Sequence, residues 1–295
     1  MRALLCRTGR LACRRIAVAL VIASLGGAAM AQKTAVLRMS IVPGESPAEI
    51  TRKFAPLGKY LERELDIRVE WVPMSDYDAV VDAVVQRRID LAVLGGLTFV
   101  QANARSGGKI VPLVQRESDA SFRSVFVTLA GSGITRLEDL KGRTFSFGPP
   151  SSTSGYLMPR VSLLAAKIDP DVDLQRVFHT AAHDATVAAV VSRKADAGAL
   201  NFRVWERLVA GKKVDASAVK VFFTTPPYHD ASWSVHADMP VATREAIKAA
   251  FLKLNPSTPE GKEILELQGA TRYLPTRVEN YNAIKAAAES AGLLK

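Results

Sequence analysis

The fold of this chain is decided by two similar stretches, YDAVVDAVVQRRIDLAVL at residues 77–94 and HDATVAAVVSRKADAGAL at residues 183–200. They lie 106 positions apart, and 9 of their 18 positions are identical. The identical charged positions are Asp78/Asp184, Arg87/Arg193 and Asp90/Asp196. Each stretch has the apolar spacing of a helix followed by a short apolar strand. Two copies of this unit predict two similar lobes.

The repeat can be extended upstream with the same offset. Residues 37–94 lie over residues 143–200 without a gap, and both read strand, loop, helix, strand, helix, strand. Only 4 of the 40 positions before Tyr77 agree, so this part rests on the order of the elements and on Ser46/Ser152, which both follow a strand. The alternative is that any Ala/Val-rich helix before an Asp-led strand would align as well. Because repeated βα units are common in α/β chains, we favour the repeat.

Predicted strands and helices alternate along the rest of the chain. Strands are predicted at 37–42, 68–73, 90–94, 110–115, 123–129, 144–147, 219–223 and 232–236. Helices are predicted at 48–65, 76–88, 99–106, 204–210, 242–254, 259–268 and 278–291. The capping box Thr135-Arg136-Leu137-Glu138 predicts one more short helix. The alternation favours parallel sheets with right-handed connections.

These elements predict an α/β fold of two Rossmann-like lobes joined by a two-segment hinge. We expect residues 32–117 and 229–295 to form lobe 1 and residues 118–228 to form lobe 2. Two crossings between the lobes would place a hinge behind a shared crevice.

The first 31 residues read as a cleavable secretory signal peptide. A stretch with five arginines precedes an apolar run at 16–25, and Ala29-Met30-Ala31 provides a small-residue cleavage site. Ten apolar residues are too few to span a bilayer, so we expect cleavage near Ala31 and a periplasmic protein. An uncleaved N-terminal anchor is the alternative.

The composition argues against several classes of function. Both cysteines, Cys6 and Cys13, lie in the leader, so the mature chain would have neither a disulfide nor a thiolate. Loss of the five leader arginines lowers the formal net charge from +10 to +5, without the clustered Lys/Arg stripe expected of a nucleic-acid-binding protein. The four histidines show no metal-ligand spacing, and no later apolar stretch reaches membrane-spanning length. No metal or cofactor is therefore expected.

Several polar residues follow predicted strands. In open parallel sheets, ligands bind at the carboxyl ends of the strands. That rule selects the following short segments: Glu45-Ser46, Tyr77, Thr98-Phe99, Ser151–Gly155, His183 and Asn201.

The strongest motif is FGPPSSTSG at residues 147–155, where a strand ends and hydroxyl residues open a helix. A helix N-terminus offers unpaired N–H groups and the positive end of the helix dipole. With the hydroxyls of Ser152, Thr153 and Ser154, it predicts a cradle for a small tetrahedral oxyanion. The alternative is that Ser152 or Thr153 only caps the helix.

Other side chains would complete this cradle. Tyr77 and His183 occupy the same repeat position and would donate hydrogen bonds from opposite walls. Asp230 lies at the return crossing, where it would accept a hydrogen bond from a protonated oxyanion, whereas Glu45 reads as a solvated loop acid. The cleft loops contain no Lys or Arg before Arg203, so we expect helix dipoles and hydrogen bonds to balance the ligand charge.

Two other functions stay open at this point. One is a receptor for a different small ligand that feeds a transporter or a sensor. The other is a periplasmic hydrolase that uses Ser154 as nucleophile, His183 as base and Asp184 as orienting acid. The chain has no G-x-S-x-G elbow and Asp184 adjoins the histidine in sequence, so catalysis is not expected.

The chain resembles the phosphonate-binding periplasmic components of ABC importers, a branch of the two-lobed type II solute-binding proteins. The resemblance covers nearly all of residues 37–293. It is carried by these segments: Pro43-Gly44-Glu45, Asp76-Tyr77, Ile89-Asp90-Leu91-Ala92, 137–142, 144–147, Ser152-Thr153-Ser154-Gly155 and His183-Asp184-Ala185. It implies that residues 152–154 hold the oxyanion, that Tyr77 and His183 add donors from the two lobes, and that Asp230 is an acid placed against the ligand.

One position departs from the family pattern. Family members often have a Tyr where this chain has Phe99, so a hydroxyl donor is missing unless Thr98 replaces it. Over its whole length, the chain most resembles a subgroup described as selenate-binding components. The choice among phosphonate, phosphite, phosphate, sulfate and selenate therefore stays open. The resemblance implies a monomeric periplasmic receptor that catalyses nothing and delivers its anion to an inner-membrane ABC permease.

Overall fold

Residues 36–294 are described by a computed structural model, and the predicted signal peptide lies outside this range. The strands of this range, in chain order, are β1 (Val36–Ile41), β2 (Arg68–Trp71), β3 (Leu91–Leu94), β4 (Ile110–Arg116), β5 (Ser124–Leu129), β6 (Thr144–Phe147), β7 (Arg176–His179), β8 (Ala197–Asn201), β9 (Val219–Thr224), β10 (Ser232–His236) and β11 (Tyr273–Pro275).

The α-helices of the same range are α1 (Pro47–Leu65), α2 (Tyr77–Val85), α3 (Gly96–Arg105), α4 (Met158–Ala165), α5 (His183–Val191), α6 (Phe202–Ala210), α7 (Val241–Lys253), α8 (Pro259–Gln268) and α9 (Asn282–Ser290). Short 3₁₀ turns lie at Glu117–Ser121, Leu137–Leu140 and Val278–Tyr281, and a π-helical turn at Thr153–Leu157 leads into α4.

Two sheets form the centres of two lobes. The six-stranded sheet of lobe 1 has the order β11-β4-β10-β3-β1-β2, and the five-stranded sheet of lobe 2 has the order β7-β6-β8-β5-β9. Apolar residues cover both faces of each sheet: α1, α7 and α8 pack on one face of the first sheet, and α2, α3 and α9 on the other. This arrangement confirms the predicted α/β fold with two Rossmann-like lobes.

Neither sheet is parallel throughout, so the prediction of parallel sheets is wrong in part. β1 runs parallel to β2 and β3, and β6 runs parallel to β7 and β8. In contrast, β10 is antiparallel to β3 and β4, and β5 is antiparallel to β8 and β9. Both β5 and β10 are the first strands after a crossing. A chain that enters a sheet from the other lobe runs away from the cleft, whereas the repeated strands run towards it.

The structure confirms the repeat in its second half, residues 77–94 and 183–200. Helices α2 and α5 begin and end at equivalent positions, and each is followed by an arginine in the left-handed region, Arg87 at φ 58° and Arg193 at φ 59°. Strands β1 and β3 pair Met39 with Leu91, and β6 and β8 pair the equivalent Phe145 with Ala197.

An aspartate fixes this pairing in each lobe. Asp90 donates its N–H to the Arg38 carbonyl, and its carboxylate accepts the Arg38 N–H at 2.9 Å. Asp196 makes the same two bonds with Thr144, where the carboxylate accepts the N–H at 2.8 Å. The identical aspartates of the repeat are therefore structural.

The repeat keeps its constant offset in the first half as well. Strand β1 pairs Arg38 with Glu70 on β2, and β6 pairs the equivalent Thr144 with Arg176 on β7.

The segments between these strands differ in shape but not in length. Helix α1 has 19 residues, whereas the π-helical turn and α4 together span only 153–165, followed by a longer connection to β7. Ser46 and Ser152 are equivalent, because each caps the helical segment that follows it.

Two helix starts differ from the prediction. Helix α3 begins at Gly96 and not at Phe99, because the Asp230 carboxylate accepts the Gly96 N–H at 3.0 Å and caps the helix from outside its own segment. At the 3₁₀ turn Leu137–Leu140, the capping acid is Asp139 and not Glu138: its carboxylate accepts the Thr135 N–H at 2.8 Å.

The two crossings between the sheets are hydrogen-bonded to each other. Phe122 and Tyr228 form an isolated antiparallel bridge, with N–H to carbonyl distances of 2.8 and 2.9 Å in the two directions. The Ser124 and Tyr228 hydroxyls lie 2.7 Å apart, and the Asp230 N–H donates to the Asp119 carbonyl at 3.0 Å. Sheet membership changes within 117–123 and 225–231. The lobe borders at 117/118 and 228/229 stay predictions.

Replacement of Asp196 by alanine should lower the free energy of unfolding by about 1–3 kcal/mol, because the Thr144 N–H then loses its charged acceptor. Urea denaturation followed by circular dichroism measures the change. Asp171→Ala is the matched control: that carboxylate pairs with Arg160 and its side chain is 65% exposed, so a loss below about 1 kcal/mol is expected. Equal losses in the two variants would contradict the proposed role of Asp196.

Candidate functional site

A cavity of about 810 Å³ lies between the lobes. The predicted site residues that line it are Tyr77, Ser152, Thr153, Ser154, His183, Asn201 and Asp230. They come from the strand ends and helix starts of both lobes. The structure thus brings together all but one of the predicted ligand residues.

The serine-rich turn has the geometry of an anion cradle. The Ser152 side chain caps the turn by accepting the Gly155 N–H at 3.0 Å, while the N–H groups of Thr153 and Ser154 stand in the first turn, where a helix has no internal acceptor. A side chain at Gly155 would place its Cβ 3.0 Å from the Gly148 Cα and from the His183 Cε1. Glycine therefore lets the turn approach both the strand end and the histidine.

His183 is a neutral hydrogen-bond donor. Its Nδ1 accepts the Asn201 N–H at 3.3 Å, so the ring proton resides on Nε2. Burial, assisted by the positive charge of Arg207, lowers the pKa of His183 to about 4. The imidazole can thus donate to an anion without carrying a charge. The side chain of Asn201 accepts the Val204 N–H and caps α6.

Tyr77 stands at the equivalent position in lobe 1. Its side chain is buried, and a Cβ at Gly44 would lie 3.0 Å from its hydroxyl. Burial, followed by the nearby charge of Asp230, raises its pKa, while a hydrogen bond with Ser152 opposes that shift. The phenol therefore keeps its proton and remains a donor.

Thr153 connects the two lobes. Its hydroxyl oxygen accepts the Leu97 N–H at 2.9 Å, from the first turn of α3, and lies close to the Asp230 carboxylate. Burial and the neighbouring Asp119 raise the pKa of Asp230 to about 6, although the Gly96 N–H and Thr153 oppose the shift. A buried acid thus stands beside the cradle.

Thr98 is the one predicted residue that the structure does not bring to the cavity. Its hydroxyl donates to the Gly95 carbonyl at 3.0 Å, and its side chain is fully buried. Phe99 points into the core of lobe 1, where its ring lies 4.6 Å from that of Tyr281. Thr98 consequently offers no replacement for the family tyrosine hydroxyl.

Cations border the cavity, which the loop sequences did not indicate. Lys53 from α1, Arg116 from the end of β4 and Arg207 from α6 all line it. Glu45 is not a solvated loop acid, because it pairs with both Lys53 and Arg207. The available signal was that Lys53 falls on the apolar face of α1, where burial of a lysine requires a partner.

The groups that a hydrolase would need are not assembled. The Asp184 carboxylate accepts the N–H of its neighbour Ala185, and its side chain is exposed. The His183 Nδ1, which an orienting acid would contact, is bonded to the backbone instead. Within residues 36–294, no cluster of three potential metal ligands occurs. Nor does any helix in that part of the chain combine the length and apolar character of a membrane span.

Two α/β lobes, a paired hinge and a donor-lined cavity between the lobes define a type II solute-binding protein. The chain belongs to the family of periplasmic phosphonate-binding components of ABC transporters: the family described as "ABC transporter, phosphonate, periplasmic substrate-binding protein" matches residues 39–281. The matched range contains both crossings, the whole sheet of lobe 2 and all but the first three residues of the sheet of lobe 1.

The chain is similar to several known members. It is 32% identical over 261 residues to the "Probable ABC transporter phosphite binding protein PhnD1" of Prochlorococcus marinus (strain MIT 9301), covering 85% of this chain and 88% of that protein. The structure of PhnD1 in complex with methylphosphonate superposes with a TM-score of 0.84 at 29% identity, covering 88% of this chain and 99% of that one. The phosphonates-binding periplasmic protein of Escherichia coli (strain K12) is 25% identical over 240 residues, covering 79% of this chain and 70% of that protein.

His183 should stay neutral far below the pH at which an exposed histidine is protonated. Because its folded-state pKa lies below the unfolded value of 6.5, the group adds no pH dependence above that value and destabilises the fold as pH falls from 6.5 towards 4. In ¹H–¹³C NMR spectra, its Cε1 signal should titrate near pH 4. A transition near 6.5 would contradict the neutral-donor assignment.

Proposed function

We propose that this protein captures a tetrahedral phosphorus oxyanion between its lobes in the periplasm and delivers it to an inner-membrane ABC permease. The observation that carries the proposal is the convergence, on one cavity, of a capped serine-rich turn, two neutral donors and a buried acid. Family membership supports the transport role. The protein acts as a receptor and catalyses no reaction.

Each site residue has a chemical role in this proposal. The hydroxyls and backbone N–H groups of residues 152–154 hold the equatorial oxygens of the anion. Tyr77 donates from lobe 1, and the His183 Nε2–H donates from lobe 2. Asn201 orients the histidine through its backbone N–H.

Asp230 favours an oxyanion that carries a proton. A carboxylate beside the cradle repels a fully ionised ligand but accepts a hydrogen bond from a P–OH group. Phosphite, phosphate and phosphonates carry such a proton in part of their population near neutral pH, whereas sulfate and selenate do not. The names of the similar proteins, which mention phosphite, methylphosphonate and phosphonates, agree with this choice.

The proposal includes the processing and the domain borders of the exported protein. Residues 1–31 act as a signal peptide cleaved near Ala31, residues 32–117 and 229–295 form lobe 1, and residues 118–228 form lobe 2. The mature protein is a monomer that holds one anion and needs neither a metal nor a cofactor.

A panel of anions tests the function on leaderless protein, residues 32–295. Phosphite, methylphosphonate and phosphate should raise the melting temperature by mass action, and sulfate and selenate should raise it less. Isothermal titration calorimetry then gives the affinities. Absence of any shift with all five anions would refute the proposal, and a preference for selenate would support the subgroup resemblance over the phosphorus assignment.

Replacement of Asp230 by asparagine should reduce the preference for phosphite over sulfate by about tenfold or more, because the side chain no longer repels an unprotonated anion. In the unmodified protein, sulfate binding should strengthen as pH falls below about 6, where Asp230 takes up the proton that sulfate lacks. The variant should lose this pH dependence. Titration calorimetry at several pH values measures both effects.

Asp238→Asn serves as the control for this prediction. Asp238 lies on the surface of the same lobe, where its side chain is 46% exposed, and its replacement should leave both affinities unchanged. A wild-type pH profile and anion preference in the Asp230 variant would contradict the proposed role of the acid.

A further inference from the structure

Glu45 holds two cations, one from each lobe. Its carboxylate oxygens lie 2.6 and 2.8 Å from the Nζ of Lys53, which belongs to lobe 1 like Glu45 itself. The same carboxylate lies 2.6 Å from an Nη of Arg207, which belongs to α6 of lobe 2. All three residues line the cavity. The group therefore spans the cleft at the cavity wall.

The two ion pairs respond differently to opening of the cleft. Lys53 and Glu45 are eight positions apart on one lobe, so their pair persists when the lobes separate. The pair between Glu45 and Arg207 joins the lobes and exists only when they are closed. An interaction made in one state and not in the other shifts the equilibrium towards the state that makes it.

Limited exposure makes this pair stronger than an ordinary surface pair. The side chains of Lys53, Glu45 and Arg207 are 11%, 21% and 36% exposed. Water and salt screen such groups less than they screen fully exposed charges. Burial lowers the pKa of Lys53, and the nearby charge of Glu45 opposes that shift.

The loop that carries Glu45 also contacts the anion site. Glu45 follows Gly44, whose carbonyl accepts the His183 N–H from lobe 2 at 3.5 Å. A Cβ at Gly44 would touch the Tyr77 hydroxyl and lie 3.5 Å from the His183 ring. Movement of the Glu45 loop away from lobe 2 therefore also separates the two walls that carry the neutral donors.

Arg207 belongs to the same lobe as the anion cradle. Its positive charge contributes to the lowered pKa of His183, which lies in that lobe as well, so its field reaches the site whether the cleft is open or closed. Glu45 and Lys53 together are neutral. Closure therefore gives Arg207 an acidic partner from lobe 1 and adds no net charge to the cavity wall.

We propose that Glu45 and Arg207 form a closure latch, which positions the loop of lobe 1 over the bound oxyanion and slows its release. The proposal rests on the function proposed above. Both are positioning residues, because they do not need to touch the ligand: their pair holds the Glu45 loop in place and stabilises the closed conformation.

Release rates test the latch. Glu45→Gln and Arg207→Gln should each raise the dissociation rate constant of phosphite or methylphosphonate about three- to tenfold. The double variant should show no larger effect than the stronger single variant, because each change already removes the one pair that joins the lobes. Glu45→Gln also removes the partner of Lys53, but that pair lies within lobe 1. Arg207→Lys, which keeps the charge, should restore part of the slow release. Stopped-flow tryptophan fluorescence measures these rates.

Arg136→Gln is the control. Arg136 lies in lobe 2 away from the cavity, and its partner Asp139 belongs to the same 3₁₀ turn, at 3.4 Å. Its loss removes a charge of the same sign from the same lobe and no contact between the lobes. Release should therefore keep its original rate. Thermal melts of all variants in the absence of ligand separate a change in closure from a change in folding.

A second measurement requires no ligand. The leaderless chain contains no cysteine, so Lys59→Cys in lobe 1 and Lys194→Cys in lobe 2 place one spin label on each lobe at exposed positions. Pulsed electron paramagnetic resonance then gives the distance distribution between the lobes. The latch variants should populate more of the open conformation than the control does.

The outcomes separate the latch from the function. If none of the anions binds to the unmodified protein, the proposed function fails, and the spin-label distances alone decide on the latch. If the anions bind but the variants at Glu45 and Arg207 keep both the release rate and the distance distribution, the latch is overturned. Additive effects in the double variant would likewise show that the two residues act independently.

Discussion

The register between the first and third strand of each repeat is the constraint on which the rest of the structure depends. In lobe 1, Asp90 receives the N–H of Arg38 on the neighbouring strand, and in lobe 2, Asp196 receives that of Thr144. A parallel pair displaced by one residue would turn every side chain to the opposite face of the sheet. With the register fixed, the carboxyl ends of these strands reach the cleft together, and the loops and helix starts that follow them form the ligand cavity.

Burial shifts the pKa values of three groups at the site by disfavouring their charged forms. It lowers the pKa of the histidine and raises those of the phenol and the carboxylate, so the histidine and the phenol stay neutral. Their donors and acceptor agree with the proposal that the ligand is an anion that carries its own proton. Fixed cations are held at the wall and paired with acids, so recognition depends on hydrogen-bond geometry more than on net attraction. This division of roles explains how a chain of modest net charge can select an anion.

Sequence reasoning succeeded where one local pattern determines the outcome. Helices α2 and α5, the serine-rich turn and the placement of Tyr77 and His183 follow from periodicity, capping residues and the rule for strand ends. It failed where a distant partner decides. Thr98 turns to the Gly95 carbonyl because α3 begins at Gly96, and that start depends on Asp230, which is 134 positions away. Glu45 appeared solvated because its partner Arg207 belongs to the other lobe. The direction of β5 and β10 likewise depends on how the chain crosses between lobes.

The paired crossings at Phe122 and Tyr228 have a mechanical consequence. Two separate linkers would allow one lobe to slide, twist and translate against the other, which amounts to six rigid-body degrees of freedom. Two segments that are hydrogen-bonded side by side move as one ribbon, which bends easily in one direction and resists shear in the others. We expect opening to follow mainly the rotation that this ribbon allows. Closure would then cost less entropy than with two separate linkers, so that fewer contacts with a ligand of only a handful of atoms are needed to offset it.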